Sequence, residues 1–98
     1  MFKAQYQFPR KKLEQAVLLI EDDRMVSSLI KSYLEKDGFE VHQCYRGDEA
    51  YSQAGKHKPA LIVLDIGLPG LDGFQVCQHL RESYQGPILM LTAQSDDK

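Results

Sequence analysis

A small α/β domain built on a parallel sheet is what this sequence predicts, and three observations predict it. First, Gln15-Ala16-Val17-Leu18-Leu19-Ile20 and Ala60-Leu61-Ile62-Val63-Leu64 are apolar runs almost without a polar break, suited to strands buried on both faces. Second, segments with helical spacing alternate with the strand candidates in the order βαβαβαβ. That order implies parallel pairing, right-handed crossovers and helices on both sheet faces. Third, the strand candidates end in polar groups: Glu21 and Asp22 after the first, Asp65 at the third, Thr92 at the fourth. In open parallel sheets the carboxyl ends of the strands form the ligand edge.

The bulk properties narrow the class further. A chain of 98 residues is enough for one domain and not two. A formal net charge of −2 offers no electrostatic reason for nucleic-acid or anionic-membrane binding. No apolar run approaches the roughly 20 residues of a membrane span. The start, Met1 to Pro9, lacks the apolar core of a secretory signal. Cys44 and Cys77 form neither a CxxC pair nor a framework, so both are expected to be reduced, buried thiols of a cytoplasmic protein.

The elements follow in order. Residues 1–14 show no period, are broken by Pro9 and carry the triplet Arg10-Lys11-Lys12. They read as a leader, an expression-derived extension or a short extra element, ahead of a domain over 15–98. After the first strand and its acidic turn, Met25, Val26, Leu29, Ile30, Tyr33 and Leu34 recur at helical spacing, with Gly38 as the stop. Phe39 to Cys44 alternates weakly and suits a strand near a sheet edge. Gly47 to Ala54 reads as a short helix ending at Gly55, and Lys56 to Pro59 as a loop. The central strand then ends at Asp65, before the Gly- and Pro-rich Ile66-Gly67-Leu68-Pro69-Gly70-Leu71-Asp72-Gly73. The third helix is expected from Gly73 to Tyr84, with Phe74, Cys77, Leu80 and Tyr84 on one face. Ile88 to Leu91 is the fourth strand.

The polar strand ends are where chemistry is expected. Carboxylates brought together repel one another, and a hard divalent cation such as Mg²⁺ relieves this with oxygen ligands. Asp65 can then attack a phosphoryl group and hold it as an aspartyl-phosphate, with a Thr hydroxyl bonding a phosphoryl oxygen. Each part has a structural alternative. Glu21-Asp22-Asp23 can serve the start of the first helix, Asp65 an Asx turn, Thr92 simply the end of a strand, and Asp72 the cap of the third helix. His42, His57 and His79 lack metal-ligand spacing and read as surface or edge residues. It is the conjunction at three strand ends that favours a phosphoryl site.

Three blocks carry a specific likeness: Val17-Leu18-Leu19-Ile20-Glu21-Asp22-Asp23, Leu61 to Gly73, and Pro87-Ile88-Leu89-Met90-Leu91-Thr92-Ala93. With their spacing they resemble the receiver domain of bacterial two-component response regulators, over residues 16 to about 98. The resemblance implies a flavodoxin-like doubly wound parallel sheet with strand order 2-1-3-4 over the strands present. It implies that Asp65 accepts a phosphoryl group from a sensor histidine kinase, with Mg²⁺ (or Mn²⁺) as cofactor. Asp22 would be the direct metal ligand, Glu21 its acidic neighbour, and Gly67 the residue whose backbone carbonyl binds the metal. Thr92 would be the switch hydroxyl, with Ala93 the small residue beside it and Asp23 belonging to the helix start. The style of these blocks is closest to regulators whose output domain binds DNA and controls transcription.

The family pattern continues with a fourth helix, a lysine-bearing fifth strand and a fifth helix, whereas this sequence runs to Lys98. Lys98 falls where the fourth helix should start and does not match the family lysine. Two expectations follow. The fourth strand offers an apolar edge for self-association, and the face beside the first helix shows an exposed apolar patch. An alternative reading is therefore a truncated fragment that is not phosphorylated and serves only interaction or self-association. An enzymatic reading, an aspartyl-phosphate phosphatase of the haloacid-dehalogenase type, wants a second Asp two residues after the nucleophile, where Gly67 stands.

Overall fold

The computed structural model describes residues 16–65 and 72–91. The N-terminal extension expected over 1–14, and the positions Gly67, Thr92 and Ala93, lie outside them. Four strands, β1 (Ala16–Ile20), β2 (Glu40–Cys44), β3 (Leu61–Asp65) and β4 (Ile88–Leu91), form one parallel sheet in the order β2-β1-β3-β4. Between them lie α1 (Arg24–Lys36), a single 3₁₀ turn (Gly47–Glu49) running into α2 (Ala50–His57), and α3 (Gly73–Leu80). The doubly wound, flavodoxin-like fold and its strand order are as expected, and β2 stands at an edge.

β1 is buried along its whole length because both its faces are covered. On one face Leu18, Ile20, Ile62 and Leu64 meet Ala50 and Ala54 of α2 and Val76 and Leu80 of α3, with Cys44 and Tyr84 completing the cluster. On the other, Val17, Leu19, Val41 and Val63 pack against Ile30 and Leu34 of α1. Register pairs Ile20 with both Cys44 and Leu64, and Asp65 with Leu91, so the strands end together at one edge.

The helix caps follow local chemistry. Asp23 caps α1, its Oδ1 accepting the Met25 and Val26 amides at 2.9 and 3.1 Å. Asp72 caps α3 in a reciprocal capping box with Gln75.

Four expectations change. α2 does not stop at Gly55 but runs through Lys56 and His57 to Lys58, which closes it in a left-handed conformation (φ 47°). A helix ends readily there because Pro59 disfavours helical backbone in the residue before it. α3 stops at Leu80, and a turn carries the chain to Tyr84, whose amide still bonds the Leu80 carbonyl at 2.8 Å. Arg81 holds that turn by donating to the Tyr84 and Gly86 carbonyls. Phe74 is 66% exposed, and Val76 takes the core place expected for it. Six positions from Leu80, Phe74 lies about 120° round the helix, whereas Val76 is one turn away. Cys77 is half-buried, and only Cys44 is fully buried.

The α1 stripe divides. Ile30 and Leu34 face the sheet, while Met25, Leu29 and Tyr33 are exposed. Met25, Leu29 and Tyr33 thus leave apolar surface on α1 itself, whereas the patch is expected on the face beside that helix. No helix among the described residues is long and apolar enough to cross a membrane.

Candidate metal and phosphoryl site

Parallel pairing brings Glu21, Asp22 and Asp65 together. Glu21 and Asp22 follow β1 directly, and Asp65 is the last residue of its neighbour β3. One carboxylate oxygen from each lies within 4.8 Å of the others. Glu21 is buried, Asp22 exposed and Asp65 half-buried, so the group runs from the interior to the surface.

Glu21 is held in place from two sides. Its amide donates to the Cys44 carbonyl at 2.9 Å, and its Oε2 accepts the Asp23 amide at 3.0 Å. Burial pushes its pKa above the usual Glu value, and the charges of Asp65, Asp22 and Asp23 push it the same way. The Asp23 amide works against them. A carboxylate crowded in this manner is relieved by a bound cation. An all-oxygen donor set at two adjacent strand ends fits a hard divalent ion such as Mg²⁺. Of the acidic turn, Asp23 alone is committed to capping, which leaves Glu21 and Asp22 for the cluster.

Two contacts near the site and below it were not legible as motifs. The guanidinium carbon of Arg24 lies 4.0 Å from the centroid of the Tyr45 ring, and Tyr45 directly follows Cys44, the partner of Glu21. The one available signal is that Arg24 opens a helix, where the positive end of the dipole disfavours a cation. Further down the sheet, His42 and His57 stack with centroids 3.7 Å apart, and Glu40 lies 3.2 Å from His42 Nε2. They are edge residues as expected, but their pairing comes from the packing of α2 on β2. Burial, and then the neighbouring His42, lower the His57 pKa.

A strand-end carboxylate beside two further acids, on the ligand edge of a sheet ordered 2-1-3-4, accompanies a family match: this chain belongs to the response regulator receiver domain family, whose profile it matches over residues 17–98. Such a domain is a signalling module, not an enzymatic kind of domain. Among the proteins it resembles is the transcriptional regulatory protein SrrA of Staphylococcus aureus (strain NCTC 8325 / PS 47), 41% identical over 85 residues. The match covers 87% of this chain and 35% of SrrA. The chain thus spans about a third of the length of the curated relatives it matches. Among solved structures, the BeF3-activated N-terminal receiver domain of Klebsiella pneumoniae RstA is 43% identical with a TM-score of 0.78, covering 84% of this chain and 70% of that one. The response regulator TrrA of Thermotoga maritima, solved in complex with Mg(2+)-BeF, is 29% identical with a TM-score of 0.77, covering 83% of this chain and 71% of that one.

Proposed function

We propose that this chain is a phosphoacceptor switch in which Asp65 takes a phosphoryl group from a phosphohistidine of a sensor histidine kinase. The observation that carries the reading is the meeting of Glu21, Asp22 and Asp65 within 4.8 Å on the ligand edge. An Asp65 carboxylate oxygen attacks phosphorus, and the P–N bond to the donor imidazole breaks. Its electron pair stays on the nitrogen, which takes up a proton, and Asp65 is left as an acyl phosphate. Glu21 and Asp22, with Asp65 itself, would hold Mg²⁺ (or Mn²⁺), which supplies charge neutralisation at the phosphoryl oxygens. Gly67 would add a backbone carbonyl to that ion, and Thr92 a hydroxyl to the phosphoryl group.

The relatives named as transcriptional regulatory proteins support an output in transcription control, exerted by a DNA-binding domain of a longer protein in the cytoplasm. This domain would then make no nucleic-acid contact of its own. The state of Asp65 would be felt by that output as a shift between two surfaces.

The test is intact-mass spectrometry after incubation with acetyl phosphate. The expected result is a gain of one phosphoryl group that requires both Mg²⁺ and Asp65, and is lost in Asp65→Asn. No gain from folded chain would overturn the reading and favour the interaction-module alternative. That alternative has one observation in its support, the outer edge of β4, where Leu89 is half exposed.

A further inference from the structure

Arg24 stands at the ligand edge, and among the described residues it has no anionic partner. It is the first residue of α1, two positions past Asp22 and next to the cap Asp23. Its guanidinium lies over the face of Tyr45 instead. The other cation of this edge, Arg46, is paired with Asp48: Nε and a terminal nitrogen donate to its two carboxylate oxygens at 2.9 and 2.8 Å. Lys56, Lys58 and Arg81 lie at the far ends of α2 and α3, and Arg81 is spent on carbonyls. Arg24 is therefore the one uncommitted cation of this edge among the described residues.

Its position works against helix stability, because a cation at a helix N-terminus meets the positive end of the dipole. Its hold there is the face of the half-buried Tyr45 ring, a contact without directional hydrogen bonds. A planar guanidinium forms far stronger paired hydrogen bonds with phosphoryl oxygens. The ends of β2 and β3, with β1 between them, are separated by roughly 10 Å, a span that an arginine rooted between them can cross. Resting on the phosphoacceptor reading given above, we infer that Arg24 is a recognition arm for the incoming phosphoryl group, parked on Tyr45 until that dianion arrives beside Asp65.

The arm makes a prediction with two signs. As a positive charge beside the acids it opposes Mg²⁺, and as a donor to phosphoryl oxygens it favours the substrate. The chain is titrated with Mg²⁺ by calorimetry and labelled with increasing acetyl phosphate, read by intact mass. In Arg24→Ala the Mg²⁺ affinity rises roughly twofold with removal of the like charge. The half-saturating acetyl phosphate rises about tenfold, with the rate at saturation little changed. Arg24→Lys keeps the wild-type Mg²⁺ affinity but recovers only part of the donor affinity, since it lacks the planar fork. Tyr45→Leu releases the arm and lowers the half-saturating donor concentration. Unchanged half-saturation in Arg24→Ala, or a loss confined to the saturated rate, overturns the inference and leaves the phosphoacceptor reading intact. A wild-type chain that takes no label overturns both.

Discussion

Among the described residues, Glu21 is the one charged side chain that is buried. It is buried at 7% exposure, faces Asp65 and Asp22, and has its pKa raised above the usual 4.5. A carboxyl whose folded-state pKa is raised is favoured in its protonated form. Its contribution to stability is fully present below the unfolded value and is lost as pH rises through the folded one. Without Mg²⁺ the chain should thus lose stability as pH climbs from about 4.5 toward neutrality. Glu21→Gln keeps an oxygen for the Asp23 amide but carries no charge, so its melting temperature should exceed wild type at neutral pH and converge with it in acid. Added Mg²⁺ should stabilise the wild type more than the variant. Thermal melts across pH, with and without Mg²⁺, check both, and a variant less stable than wild type at neutral pH would count against a repulsive cluster.

At the scale of elements, two glycines make opposite predictions. Gly55 lies inside α2, and a Cβ built on it meets nothing within 4 Å. Gly55→Ala should stabilise by about 0.5–1 kcal/mol. At Gly86 a Cβ would collide with the Tyr84 ring, which is buried and donates its hydroxyl to the Pro87 carbonyl. Gly86→Ala should therefore destabilise by about 1–3 kcal/mol. Urea unfolding separates the two, and shifts of the same sign would contradict the packing described. Gly55 also shows the limit of reading elements from sequence. Glycine there looks like a stop, but the backbone is ordinary helix and the stop comes from Pro59. β1 and β3 were legible because both their faces are buried, which leaves a continuous apolar run. The meeting of Glu21, Asp22 and Asp65 was legible because parallel strands end on one edge. The phase of α3 was not, since Phe74 and Val76 are both apolar and only the packing selects between them. Nor were the stacks of His42 on His57 and Arg24 on Tyr45, which join residues far apart in sequence through the placement of α2 and of the turn after β2.

For the whole molecule, the sheet has unequal covers and two edges of different character. Among the described residues, two helices cover one face and one helix the other, and nothing pairs with the outer side of β4. Leu89 is 52% exposed on that strand. Edge-to-edge pairing between copies should appear as a weight-average mass that rises with concentration in sedimentation, and Leu89→Lys should suppress it. A wild-type chain of monomer mass at every concentration would dispose of that prediction. The distribution of charge over the same sheet has a consequence of its own. Glu21, Asp22, Asp23, Asp48, Glu49, Asp65 and Asp72 gather where the strands finish, against Arg24 and Arg46. Lys36, Lys56, Lys58 and Arg81 stand where the helices finish, partly offset by Asp37, Glu40 and Glu82. Among the described residues the charge is thus lopsided, with an acidic pole around Asp65. A positively charged partner drifting toward it is turned before contact, so that the pole bearing Asp65 comes round to face it. The rate of productive encounter then falls as salt shortens the reach of that torque.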